Sequence, residues 1–188
     1  MRQAIRSELA DAALRSFLDV GFEATTVSAI AASVGVSERT FFRYFPAKED
    51  AVLEPIEAFG ASIAETLRGR PASESALDAL RAAFDSVADA ITSKPDTMAV
   101  VMRLNQADPA LRIRHLRQQE QWISVLMVAE EHRVGPTAFD ASVTRLRCAA
   151  MMIALEKALV SCLAHDDFTR VGAELDMALE QLRSFLAH

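Results

Sequence analysis

The sequence predicts an all-helical protein in two parts, and three observations carry that reading. Gly and Pro, six of each in 188 residues, occur at about half their usual share, so the chain has few breakers. Apolar residues recur at steps of three and four rather than two. Two short apolar segments flank Gly35 at the spacing of a helix-turn-helix. Apolar residues make up 51% of the chain and charged residues 24%, enough for a sizeable core.

About nine helices follow in order. Ile5, Leu9, Ala13, Phe17 and Val20 form one apolar face, which predicts a first helix over residues 2–20 stopped by Gly21. Thr26 is placed to cap a second helix over 27–34, broken by Gly35. Ser37 caps a third over 38–45, which Pro46 ends. The fourth, over 47–67, contains Pro55 and is expected to kink there. The fifth covers 74–92, stopping before Lys94-Pro95, and the sixth covers 96–106. The seventh starts at Pro109, a favoured first-turn residue, and reaches 133. Gly135-Pro136 interrupts the chain. The eighth covers 139–165 and the ninth 168–186. The domain boundary is expected near residue 47, with 1–47 and 48–188 as the two parts and the fourth helix shared between them.

Charge narrows the function classes. The net charge is −6, which speaks against a uniformly basic nucleic-acid binder and a polybasic membrane surface. The first 50 residues hold six basic and seven acidic side chains, so most of the acidity lies in the remainder. The longest apolar run, residues 148–155, is far short of a membrane span. The first residues carry acids and show no signal-peptide pattern. Cys148 and Cys162 lie fourteen residues apart on one predicted helix, about 21 Å by helical rise, too far to pair. They are expected to be reduced and buried, in a cytoplasmic protein. The four histidines are scattered, and no metal-ligand spacing, phosphate loop or nucleophile motif appears, so neither metal, cofactor nor enzyme chemistry is expected.

In a helix-turn-helix the N-terminal residues of the second helix meet base edges in the major groove. Here that helix offers Ser37, Glu38, Arg39, Thr40, Phe42, Arg43 and Tyr44. Arg39 has the fork to bind guanine, and Thr40 suits a thymine methyl. Tyr44 and Lys48 suit phosphate contacts, as does the backbone at Thr26 on a helix N-terminus. Val34, Val36 and Phe41 are expected to pack the two helices together. Arg2 and Arg6 are expected either as a minor-groove arm or as surface arginines.

The stretch formed by Ile5, Ala12, Ala13, Phe17, Gly21, Thr25, Thr26, Val27, Ile30, Ala31, Gly35, Val36, Ser37, Thr40, Phe41, Arg43, Tyr44, Phe45, Lys48, Glu49 and Leu53 resembles the TetR-family transcriptional regulators. Two positions depart from the family pattern. Arg39 stands where Gly is frequent, and Phe42 stands where Tyr is usual, so a phosphate-binding hydroxyl is lost there.

The resemblance implies a homodimeric repressor of a near-palindromic DNA operator, released by a small-molecule effector. It implies a dimer bundle from the last two helices, with Leu155, Leu159, Cys162, Leu163, Leu175, Leu179, Leu182 and Phe185 as the candidate interface. It also implies an effector pocket, with Phe59, Ile63, Phe84, Val87, Val101, Met102, Trp122, Met127, Met151, Met152 and Leu155 as candidate lining. Arg103, Asn105 and Gln106 would orient a ligand. The segment LRIRHLRQQEQWISVL is similar to mycofactocin-type and acyl-CoA-type regulators of that family, which implies a fatty acyl or acyl-CoA-like effector. Arg112, Arg114, His115 and Arg117 would then meet its anionic end. Two other readings compete: a DNA-binding regulator controlled by a protein partner or acting without a small-molecule effector, and a small helical enzyme or lipid carrier.

Overall fold

The computed structural model describes residues 2–186, and its described residues are helical with no strand. They form α1 (Arg2–Val20), α2 (Val27–Ser33), α3 (Glu38–Tyr44), α4 (Asp50–Glu57), α5 (Phe59–Arg68), α6 (Ala76–Ala83), α7 (Asp85–Ser93), α8 (Pro95–Ala107), α9 (Pro109–Val134), α10 (Ala141–His165), a 3₁₀ turn (Phe168–Arg170) and α11 (Val171–Leu186). The expected fourth and fifth helices are each broken once. The first break falls at Ala58, about one turn beyond Pro55. Pro55 removes an intrahelical donor there and crowds the carbonyl one turn back. The second falls at Phe84. There the Ser86 hydroxyl donates to the Ala83 carbonyl at 3.1 Å, a side-chain bond that competes with the regular ladder. Counting each broken helix as one recovers the expected nine.

The caps explain the short helices. The Thr26 hydroxyl accepts from the Ala29 N–H, and the Ser37 hydroxyl accepts from the Thr40 N–H, each at 3.2 Å. Gly35 sits at φ +72°, where an L side chain is strained. Around it the Val36 N–H bonds back to the Ala31 carbonyl at 2.9 Å and the Gly35 N–H to Ala32 at 3.0 Å, closing α2 and turning the chain into α3. Asp108 caps α9 and Asp140 caps α10 by the same side-chain means.

The core runs through both parts without a gap. Leu9, Phe17, Ile30, Phe41 and Phe45 fill the bundle of α1–α3, while Ile63, Leu67, Leu80, Phe84, Leu126 and Met151 fill the larger bundle. α4 joins them. It packs on α1, and it is tied to it by Arg6 to Glu57 and Ser7 to Glu54, both at 2.7 Å. At its other end the Asp50 carboxylate pairs with Arg114 of α9 and accepts the Ala47 N–H at 2.9 Å.

The candidate dimer residues require a correction. Leu155, Leu159, Cys162, Leu175 and Leu179 are buried inside the protomer, and Leu163 and Leu182 are half-buried. The side chain of Phe185, like that of Arg2, lies outside the described residues. The reason is that α10 has two apolar stripes. Val143, Leu146, Ala150, Ile153, Val160 and Ala164, with Lys157 among them, repeat at alternating steps of three and four on a face about 160° around the helix from Leu155 and Leu159. That second stripe faces outward: Leu146 is 72% exposed and Ile153 64%.

Candidate nucleic-acid interface and ligand cavity

The surface of α3 is set by its anchors. Phe41 and Phe45 are buried and stack at 5.4 Å between ring centroids, which fixes the helix on the core. The residues between them turn outward. Glu38, Arg39, Phe42 and Arg43 are exposed, with Ser37 at the helix start. Thr40 is half-buried, and its hydroxyl lies 3.1 Å from that of Ser37. The α3 face therefore presents two guanidinium groups and an exposed phenyl ring, with one carboxylate beside them.

Tyr44 and Lys48 stand differently from the phosphate-contact expectation. Tyr44 is half-buried against the core, and Arg43 lies over its ring at 5.2 Å. Lys48 donates to the carbonyls of Phe22 and Thr25 at 2.7 and 3.0 Å, with its ammonium 4.3 Å from the centre of the Phe22 ring. Two of its three N–H donors are thus committed to holding the α1–α2 turn. Thr26 is exposed at the start of α2. Arg6 is occupied by Glu57 and lies over Phe45 at 5.0 Å, which is a clamp rather than a free arm.

The larger bundle contains a cavity of about 30 Å³ between α4, α5, α8, α9 and α10. Of the candidate lining, Phe59, Val101, Met102, Trp122 and Leu155 reach it. Ile63, Phe84, Val87, Met151 and Met152 do not: each is buried in the packed core beside it. Met127 is half-buried elsewhere. Arg103 is at the surface, paired with Asp166 at 2.8 Å. Ile56, Met98 and Leu159 complete the apolar wall, and Asn105, His115, Gln119 and Glu156 supply the polar part. Gln119 and Glu156 were not among the expected residues. The signal for Gln119 was available on α9, where His115, Gln119 and Trp122 follow steps of four and three and share one face; Glu156 stands on α10, one step past Leu155.

Trp122 depends on Gly60. A Cβ on Gly60 would lie 2.1 Å from Trp122 Cδ1, so only glycine lets the indole lie against α5. The indole meets Phe59 at 6.2 Å and His115 edge-on at 6.0 Å between centroids. His115 lies 3.2 Å from the Gln119 amide. Burial lowers its pKa below the ordinary imidazole value, against the opposing pull of Gln118 and of the Glu156 carboxylate. Asn105 Oδ1 and His115 Nδ1 are buried without a hydrogen-bond partner.

The basic cluster expected for an anionic ligand end is not at this cavity. Arg112 and Arg117 are exposed, and Arg114 is held by Asp50. Arg6, Arg114 and Arg117 instead line an outer groove of about 630 Å³ between α4 and α9, on the far side of Trp122. The thiols are inert. Burial raises Cys148 to about 12 and Cys162 to about 11, and both are free. Among the described residues, no cluster of His, Cys, Asp and Glu is placed to hold a metal ion, and no helix is long and apolar enough to cross a membrane.

Comparison with known proteins agrees with this geometry. Residues 9–54 match the family model of bacterial regulatory proteins, tetR family. The chain is 37% identical over 122 residues, 62% of its length, to the HTH-type transcriptional regulator TcmR of Streptomyces glaucescens; the match spans about half of that relative (54%). Three solved structures share the fold almost end to end. One is Thermus thermophilus FadR, a TetR-family repressor in complex with lauroyl-CoA, with TM-score 0.58, 24% identity and coverage of 94% and 92% of the two chains. A second is a TetR-family regulator from Mesorhizobium loti, with TM-score 0.61, 15% identity and coverage of 100% and 98%. A third is SmeT, the repressor of the Stenotrophomonas maltophilia multidrug efflux pump SmeDEF, with TM-score 0.60, 17% identity and coverage of 96% and 91%. With the matched α1–α3 head and the exposed face of α3, residues 9–54 form a helix-turn-helix head of the tetR-family type, and the chain shares its fold with TetR-family regulators.

Proposed function

We propose that the protein is a homodimeric, DNA-binding transcriptional repressor whose grip on a near-palindromic operator is released by a small apolar ligand. The observation that carries this reading is the α3 surface. Phe41 and Phe45 hold the helix rigidly while Arg39, Phe42 and Arg43 stay exposed beside the helix start. Such a helix fits the major groove, with Arg39 bonding guanine and Phe42 meeting a thymine methyl. Residues 1–47 act as the DNA head, and 48–188 bind the effector and dimerise.

The outward stripe of α10 supports the dimer. Val143, Leu146, Ile153 and Val160 are too exposed and too regular for an unpartnered helix face. A second copy on that stripe makes a two-fold interface and gives two aligned α3 helices, matched to two half-sites. The cavity supports release. Ile56 at the end of α4 and Phe59 at the start of α5 line it, and α4 is bonded to α1 through Glu54 and Glu57. At about 30 Å³ the cavity holds no more than a water or two, so a ligand must push its walls apart. The ligand then favours a protomer with α4 displaced, and by linkage weakens DNA binding by the same factor.

The test is selection from a random double-stranded DNA pool with the full-length protein. Enrichment of a two-half-site sequence is expected, bound at least about 10³ more tightly than unrelated DNA. A pool that yields no sequence preference would remove the repressor reading.

A further inference from the structure

The cavity's polar end defines the chemistry of its ligand. We infer that the effector is an apolar molecule whose polar end donates hydrogen bonds and carries no negative charge: an alcohol, phenol or amine rather than a carboxylate or acyl-CoA. This rests on the ligand-release reading above and names its ligand class.

Four observations converge. Asn105 of α8 lines the cavity with a buried, unpartnered Oδ1, an acceptor in want of a donor. Among the described residues Glu156 of α10 is the only carboxylate on the lining, and it stands exposed at the rim. His115 and Gln119 add polarity, and burial favours the neutral form of the imidazole. Among the described residues no arginine or lysine reaches the cavity: Arg103 is turned to Asp166 and Arg114 to Asp50. A carboxylate entering here would lose its water, meet no cation and face Glu156. A hydroxyl or ammonium would satisfy Asn105 Oδ1 and be drawn towards Glu156, with its apolar body against Trp122, Phe59, Met98 and Met102.

The chemistry is tested by titrating the full-length protein with 1-decanol, decylamine, decanoate and lauroyl-CoA, each below its aggregation limit, by calorimetry and by release of the selected operator. Decanol and decylamine are expected to bind at least about tenfold more tightly than decanoate, with lauroyl-CoA failing to release DNA. Any apolar cavity disfavours a carboxylate, so the variants carry the decision. Glu156→Gln, at the exposed rim, is expected to narrow the gap between decylamine and decanoate by about three- to tenfold. Asn105→Leu is expected to weaken decanol by a similar factor, the worth of one hydrogen bond. Circular dichroism checks that both variants fold. Tight lauroyl-CoA or decanoate binding, or a gap unmoved by Glu156→Gln, would overturn the inference while leaving ligand release intact. If no probe binds although the operator is still recognised, both the ligand class and the cavity's role fall.

Discussion

At the scale of single residues, the site is made by a few side chains whose neighbours leave them no alternative. Arg39 is exposed and makes no ion pair among the described residues, so Arg39→Ala is expected to weaken operator binding by about 1–3 kcal/mol without moving the unfolding midpoint. A gel-shift titration beside a denaturant melt checks both halves. Gly60 is the opposite case, important for packing and remote from DNA. Gly60→Ala drives a methyl into the Trp122 ring and is expected to cost about 1–3 kcal/mol in a urea melt. His115 gives a pH signature. Its folded pKa lies below the ordinary value of about 6.5, so the unfolded chain takes up the proton first as the pH falls. The stability associated with the neutral ring is present above about pH 6.5 and lost as the pH drops through the lower folded value. His115→Gln is expected to flatten that part of a plot of unfolding free energy against pH. Which residues cluster on α3 was legible in the sequence, because the caps at Thr26 and Ser37 and the glycine between them fix the geometry locally. The role of Lys48 was not. Its bonds to the Phe22 and Thr25 carbonyls join segments more than twenty residues apart, and local patterning carries no record of them.

At the scale of elements, α10 is the instructive helix. It is apolar on two opposed faces, so its periodicity announces a helix without saying which face is core. Leu155 and Leu159 turn inward while Ile153 and Leu146 turn outward. The two faces predict opposite results. Ile153→Glu is expected to convert the proposed dimer into a monomer in sedimentation velocity while the helical signal is retained. Leu159→Ala is expected to leave the dimer intact and cost about 2–5 kcal/mol of protomer stability. The reverse pattern would place the interface on the wrong face. The helix breaks were partly legible. Pro55 announced a kink in the α4–α5 rod, but the break at Phe84 depends on the Ser86 hydroxyl reaching the Ala83 carbonyl, a choice made in three dimensions. The pocket was read as a stripe of methionine and aromatic residues, and about half of that stripe is solid core. A stripe at helical spacing looks the same whether it meets another side chain or a void.

At the scale of the whole molecule, α4 is the common structural member. It is bonded to α1 by Glu54 and Glu57, to α9 by Asp50, and it forms part of the cavity wall through Ile56. A change in cavity volume therefore reaches the DNA head through one short helix. The charge distribution sets the energetics of the encounter. With six basic and seven acidic side chains in the first 50 residues, the head gains little from bulk attraction to phosphate. A shallow salt dependence and weak non-specific binding follow, and in the proposed dimer specificity falls to two heads held in register. The order of helices and the helix-turn-helix head were legible in the sequence, because helix breakers, caps and a strong local motif mark them. The spatial relation of the parts was not, because the ion pairs that set it join residues more than forty positions apart. The most direct measurement compares, by fluorescence anisotropy, the selected palindromic duplex, the same duplex with one half-site scrambled, and unrelated DNA of equal length. The account predicts two protomers per palindrome, a large loss on scrambling one half, and at least about 10³ between palindrome and unrelated DNA. Equal affinity for all three duplexes would contradict it.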